Sequence, residues 1–220
     1  MKFSYIIIVL CLTITTLFGA GFTTTSLARL KYDGGGDWYN NPEVLTNLMH
    51  YANRELNCGF AEKQAIVEAG SSDLFKHPFV YVTGHGAIKL SSKERDNLRE
   101  YMLKGGFLYV DDDYGLDRSF HKEIAMIFPE KELIEIPKGH KIYNCYFEFP
   151  QGLPKIHKHE DKRPRAYGIF DANGRLMLLY TYETNISDGW ADPTTHNDPK
   201  EIREKALKFG INMLYYIMAG

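Results

Sequence analysis

The sequence predicts an α/β domain with a mostly parallel sheet and an antiparallel hairpin near its C-terminus. Three observations carry this expectation. Two apolar runs, Phe79-Val-Tyr-Val82 and Gly106-Phe-Leu-Tyr-Val110, end in the polar tips Thr83-Gly-His-Gly86 and Asp111-Asp-Asp-Tyr-Gly115, and the residues between have the length and caps of one helix. That is a β-α-β unit, whose two tips emerge on the same edge of a parallel sheet. The run 79–82 has little polar interruption, as expected of a strand covered by helices on both faces. Finally, the strand-like segments 165–170 and 175–182 flank Asp171-Ala-Asn-Gly174, a hairpin turn in which Asn and Gly accept positive φ.

Taken in order, the chain opens with Lys2 and an apolar run from Tyr5 to Phe18, followed by Gly19, Ala20 and Gly21. This is the pattern of a signal peptide over residues 1–21, shorter than the ~20 apolar residues of a spanning helix. The expected product is an exported, periplasmic protein of residues 22–220 with no membrane span in the mature chain. Cys11 lacks the small residues of a lipoprotein site before it. Cys58 and Cys145 remain, as a disulfide pair or as two buried thiols.

Residues 26–32 alternate apolar and polar, as a half-buried first strand does. Asp33-Gly-Gly-Gly-Asp-Trp38 follows, either an anion-binding nest of backbone N–H groups or a flexible turn. It matches neither a dinucleotide fingerprint nor a phosphate loop. Asn41-Pro42 reads as an N-cap and first helical residue, with Leu45, Leu48, Met49, Ala52 and Leu56 on one face and Gly59 as the stop. A short strand at 65–69 precedes the turn Gly70-Ser-Ser-Asp73. In the central unit Ser91 and Glu94 form a capping box, and Leu98, Tyr101 and Met102 line the helix.

A helix over 117–128 carries Phe120, Ile124 and Ile127, and a strand is expected at 132–136. Segment 142–149 reads as strand-like within an insertion over 137–164. His157 and His159 in the charged stretch 155–165 mimic a metal site, but a solvated loop is the preferred reading. Residues 185–192 form a second Asp-Gly-Trp loop. Asp198-Pro199 with Glu201 caps a last helix bearing Ile202, Ala206, Phe209 and Met213. No other repeat and no linker is visible, so a single domain is expected. Hydrophobic residues at 44% and charged residues at 25% suit an ordinary globular domain, and a net charge of −2 offers nucleic acid no broad attraction.

The stretches Arg29-Leu-Lys-Tyr-Asp-Gly-Gly-Gly-Asp-Trp-Tyr-Asn-Asn-Pro42, Tyr81-Val-Thr-Gly-His-Gly86, 98–112 and Ser187-Asp-Gly-Trp190 resemble a bacterial family, domain-of-unknown-function family 4159. The resemblance covers nearly all of the mature chain. It implies kinship with the class I glutamine amidotransferase-like superfamily and its fold, a flavodoxin-like three-layer sandwich. The nucleophilic Gly-x-Cys-x-Gly elbow of those enzymes is absent: Cys58 falls at a helix end and Cys145 in an apolar run. Cysteine-dependent glutamine hydrolysis is therefore not expected.

In a flavodoxin-like strand order, loops 33–38, 83–86 and 111–114 share the carboxyl edge, and 188–190 joins them if the topology allows. The candidate ligand-binding residues are Asp33, Gly35, Asp37, Trp38, Gly84, His85, Gly86, Asp112, Tyr114, Asp188 and Trp190. Three readings compete. In a binding module, Trp38, Tyr39, Tyr114 and Trp190 offer flat faces and the aspartates accept hydrogen bonds, suiting a sugar, a peptide or a protein partner. In a metal-dependent hydrolase, residues 111–113 with His85 hold a divalent ion, Asp111 and Asp113 sharing a strand face; oxygen ligands favour Mg, Mn or Ca, and one His tolerates Zn or Fe. His85 is the candidate catalytic base. In the third reading the aspartates cap, His85 satisfies backbone and the tryptophans fill core. The concentration of Gly, His, Asp and Trp at several tips favours the binding module, with the hydrolase as alternative.

Overall fold

The structure, a computed structural model, describes residues 25–157 and 162–219. The predicted leader and His159 lie outside the described residues. The elements are β1 (Ala28–Lys31), α1 (Val44–Leu56), β2 (Ala65–Glu68), β3 (Phe79–His85), α2 (Ser92–Leu103), β4 (Phe107–Tyr114), α3 (Asp117–Ile127), β5 (Ile134–Glu135), β6 (Arg165–Phe170), β7 (Leu176–Tyr182), α4 (Pro193–His196) and α5 (Lys200–Ala219). They form one sheet in the order β2-β1-β3-β4-β7-β6-β5. Strands β2, β1, β3, β4 and β7 are parallel, and β6 runs antiparallel to β7 and β5. The order is consistent with a flavodoxin-like sandwich. The chain leaves β1 for β2 on one side and returns to β3 on the other, so the topological switch lies between β1 and β3.

Period-2 alternation along β3 and β4 divides the core. Phe79, Tyr81, Phe107 and Tyr109 face α1 and α5, packing with Leu45, Leu48, Phe209 and Trp190. Val80, Val82, Leu108 and Val110 face α2 and α3, against Leu98, Met102, Phe120 and Ile124. Directly paired rings stack across the strands, Phe79 on Phe107 at 5.8 Å and Tyr81 on Tyr109 at 5.7 Å. The capping box at Ser91 and Glu94 forms as expected.

Several local expectations are corrected. Arg29, an outward position in the alternating reading of the first strand, is buried, because three backbone carbonyls receive its guanidinium. Asn41 does not cap α1: it lies at φ 47° with its side chain drawn to Asp188, and the helix begins two residues later than Pro42 allows. The helix stops at Asn57 in the left-handed conformation, ahead of Gly59. Segment 142–149 is not a strand. Asn212 of α5 supplies its hydrogen bonds, accepting from Phe147 N and donating to the carbonyls of Ile142 and Phe147. Of the two readings offered for Cys58 and Cys145, the free thiols hold, each partly rather than fully buried. On α3, Glu123 accepts from Arg95 and from the amide of Leu90.

Candidate functional site at the carboxyl edge

The tip of β3 and the loop after β1 meet at the switch point. Gly36 N donates to Ala87 O at 2.9 Å, Asp37 N to His85 O at 3.2 Å, and Lys89 N to Asp33 O at 2.7 Å. The amides of Gly36 and Asp37 are thereby committed to the neighbouring loop, which favours the turn reading of this segment over the nest. Gly84, at φ 147°, lies against the Tyr32 hydroxyl and Asp37, where no side chain fits. Below the loop, Arg29 donates from Nη1 to the carbonyls of Trp38 (2.7 Å) and Asn40 (2.6 Å) and from Nη2 to that of Asn41 (2.7 Å), with its guanidinium over the Tyr81 ring. Binding the backbone from inside turns Asp37, Asn40 and Asn41 toward the edge.

His85 stands between two carboxylates. Its amide donates to Asp37, its Nδ1 lies 3.1 Å from Asp37 Oδ2, and its Nε2 lies 3.4 Å from Asp113 Oδ2. Burial opposes protonation, but the charge of Asp113, the Asp37 hydrogen bond and the charges of Asp37 and Asp188 outweigh it, so the His85 pKa is raised. The ring is 47% exposed. This arrangement favours the protonated imidazole, whose two N–H groups face Asp37 and Asp113.

The three aspartates of β4 have separate fates. Asp111 and Asp113 share a face, as alternation predicts, but Asp111 is completely buried. Its Oδ1 accepts from Thr181 Oγ1 at 2.5 Å, and its Oδ2 from Ser187 N and Oγ, both at 2.7 Å. Burial pushes its carboxyl up to about 7 against those hydrogen bonds. The expected open Asp111–Asp113 ligand pair does not form, because Asp111 is spent on pinning the turn after β7 to the sheet. Asp112 points to the other face and accepts from Leu116 N at 2.9 Å, ordering the entry to α3; burial pushes it up to about 6. Asp113 accepts from Asn40 Nδ2 (2.7 Å) and Asn185 Nδ2 (2.6 Å). Beside it a cavity of about 240 Å³ is lined by Asp112, Asp113, Tyr114, Tyr182, Glu183 and Asn185. Tyr114 is exposed at its rim.

A second cluster adjoins the first through Asn185, whose Nδ2 also lies 3.3 Å from Asp188 Oδ2. Asp188, buried in the turn Ile186–Trp190, accepts from Asn41 Nδ2 at 2.9 Å and lies 2.9 Å from His157 Nδ1 and 3.5 Å from His196 Nε2. His157 Nε2 in turn lies 2.9 and 3.1 Å from the two oxygens of Asp198. The Asp188 hydrogen bond, with the charges of Asp188 and Asp198, overcomes burial and pushes His157 up to about 9. Burial tends to raise Asp188, but His157 and His196 hold it below the usual carboxylate range. His157 is thus no member of a solvated loop: two carboxylates hold it.

Of the sequence candidates, Asp37, His85, Asp113 and Asp188 come together in one network, with Gly84 and Gly86 shaping its backbone. Gly86 N donates to Tyr114 O at 3.0 Å. Asp33 and Gly35 sit on the exposed outer bend. Trp38 is partly buried, edge-on to the exposed Tyr39. Trp190 is completely buried, its Nε1 donating to Ala206 O at 2.9 Å and its ring packed on Tyr81 and Tyr109. Its expected role as a ligand-facing ring is corrected: it is core. Sequence reasoning passes over Arg29, Asn40, Asn41, Asn185, His196 and Asp198. The Asn-Asn pair beside Trp38 was the visible signal, and it reads more simply as a helix cap.

A family model described as "Domain of unknown function (DUF4159)" matches residues 26–218. No curated protein matches the chain.

Proposed function

The chain belongs to that family of unknown function, and from this premise we propose that it is an exported domain binding a small hydroxyl-rich molecule, a sugar in the first place, at the carboxyl edge of its sheet. The observation carrying this reading is the cavity beside Asp113, where carboxylates of Asp112, Asp113 and Glu183 meet the rings of Tyr114 and Tyr182. Carboxylates accept hydrogen bonds from hydroxyl groups, and aromatic faces cover the C–H faces of a sugar ring. At about 240 Å³ the cavity is below the roughly 300–1,000 Å³ of sites for drug-sized ligands, so it suits a small one. His85, half-exposed at the neighbouring switch point, contacts the cavity-lining Asp113 and adds positive charge beside it when protonated.

The strand order supports kinship with the class I glutamine amidotransferase-like superfamily without its cysteine chemistry, since burial raises both the Cys58 and the Cys145 thiols, away from the reactive thiolate. A hydrolase with its metal on residues 111–113 and His85 receives less support, because Asp111 gives both oxygens to Thr181 and Ser187. The test is saturation-transfer NMR with a panel of monosaccharides, disaccharides and dipeptides. Saturation of a sugar, weakened at least about tenfold in Asp113→Asn and Tyr114→Ala, is the expected result. Transfer to dipeptides alone, or to nothing, overturns the sugar reading.

A further inference from the structure

We propose that His157, Asp188 and His196 form a three-ligand site for a borderline-soft divalent metal ion, Zn²⁺ above all. This inference stands apart from the sugar reading, since none of the three lines the cavity beside Asp113. One donor atom from each residue lies within 4.8 Å of the other two. The closest approaches are 2.9 Å from Asp188 Oδ2 to His157 Nδ1 and 3.5 Å from Asp188 Oδ1 to His196 Nε2, so the carboxylate reaches both imidazoles through its two oxygens. Ligand atoms bonded at 2.0–2.2 Å to a tetrahedral ion lie roughly 3.3–3.6 Å apart, so the three need only small adjustments.

The surroundings of the cluster point the same way. His157 turns Nδ1 to the cluster and Nε2 to Asp198, at 2.9 and 3.1 Å. A carboxylate on the far nitrogen is the usual support of a metal-bound imidazole, fixing the ring and raising its basicity. Asn41 Nδ2 donates to Asp188 Oδ1, which orients that amide, and lies 3.0 Å from His196 Nε2. In its neutral form His196 accepts from that amide through the lone pair of Nε2, the atom that would bind the metal. Gly189, whose Cβ position is occupied by Ala206 of α5, lets the turn carrying Asp188 dock against that helix. Two imidazoles and one carboxylate favour Zn²⁺ over Mg²⁺ or Ca²⁺, and three protein ligands leave a fourth position for water or a ligand oxygen.

The bland alternative is an ion-pair network that needs no metal, and titration with ZnCl₂ separates the two. Tag-free mature protein, stripped with EDTA and exchanged into chelator-free buffer, is titrated with ZnCl₂ and with MgCl₂ by calorimetry, and the stoichiometry is read by native mass spectrometry. One Zn²⁺ per chain is expected, with no Mg²⁺ binding. His196→Ala, on a four-residue surface helix, and Asp188→Asn should each weaken Zn²⁺ binding at least about tenfold. Asp198→Asn, which does not touch the ion, should weaken it by about tenfold through His157. Circular dichroism checks that each variant is folded, and Asp198→Asn keeps the test decisive if Asp188→Asn is not. Absence of a 1:1 Zn²⁺ complex, or equal affinity in folded His196→Ala and Asp198→Asn, overturns the site.

Discussion

The cluster around His85 and the cluster around Asp188 share one sheet edge and one bridging residue, Asn185, yet they are assembled by different means. The first grows from the tips of two adjacent parallel strands, β3 and β4, plus a loop pressed onto them; the β-α-β unit already groups His85 and Asp113, and the loop after β1 brings Asp37. The second collects His157, Asp188 and His196 from three segments of the C-terminal part of the chain, none of them on a strand. The first ring is half open to solvent, whereas Asp188 is almost wholly buried beneath two partly covered imidazoles. A parallel sheet delivers residues to an edge by topology alone, but a polar cluster off the sheet needs specific hydrogen bonds to pin every loop that feeds it.

Arg29 serves both clusters, so removing it has the largest effect. Arg29→Met leaves three backbone carbonyls without their donor and should cost about 3–9 kcal/mol in urea unfolding, at roughly 1–3 kcal/mol per group. If the midpoint barely moves, the loop carrying Asp37, Asn40 and Asn41 does not depend on that guanidinium.

The acidic strand end should also make stability pH-dependent. Asp112 titrates at about 6 in the fold, above an ordinary value of 3.8, so the native state binds the extra proton. Its favourable contribution is complete below about pH 4 and is lost as pH rises through about 6. This is a decline of about 3 kcal/mol, which Asp112→Asn should flatten while keeping an acceptor for Leu116 N. Unfolding curves from pH 4 to 7.5 for both proteins measure the difference in slope.

Asn185 tests whether the clusters are coupled. Asn185→Gly should cost about 1–2 kcal/mol for the lost hydrogen bonds, and Asn185→Ala roughly 1 kcal/mol more, because its φ of 53° is left-handed. Equal losses in the two variants would mean that backbone conformation is not what holds the bridge.

The smallest effect belongs to His85→Ala, within about 0.5 kcal/mol at a half-exposed position. The His85 pKa is raised above the usual 6.5, so its contribution is present below that value and is lost as pH rises through the elevated one. Variant and parent should therefore converge in alkaline buffer, and an NMR titration of the ring should place its midpoint above 6.5. A midpoint below 6.5 would remove the argument that Asp37 and Asp113 hold its proton.

Much of the fold was legible because its signals are local. The capping box of α2 and the Asn-Gly hairpin satisfy their backbone groups within a few residues, and the strand 79–82 announces itself by an unbroken apolar run. Expectation and structure part company where a distant side chain supplies the hydrogen bonds instead. Asn212 does so for segment 142–149 and Arg29 for the loop after β1, while Asp188 draws away Asn41, which would otherwise cap α1. Trp190 looks the same in sequence whether it faces a ligand or the core; only the docking of its turn on α5 buries it.

By itself the sequence determined the parallel β-α-β centre, the hairpin and the edge on which polar residues gather, because periodicity, caps and glycines act within one element. The tertiary structure decided which of those polar residues stay available. Asp111 is consumed as a brace, whereas Asp113, two positions on along the same strand and itself buried, lines the cavity at the sheet edge. The difference lies in what packs above them: Thr181 and Ser187 cover the first, while Asn40, Asn185 and His85 surround the second at the edge of the sheet.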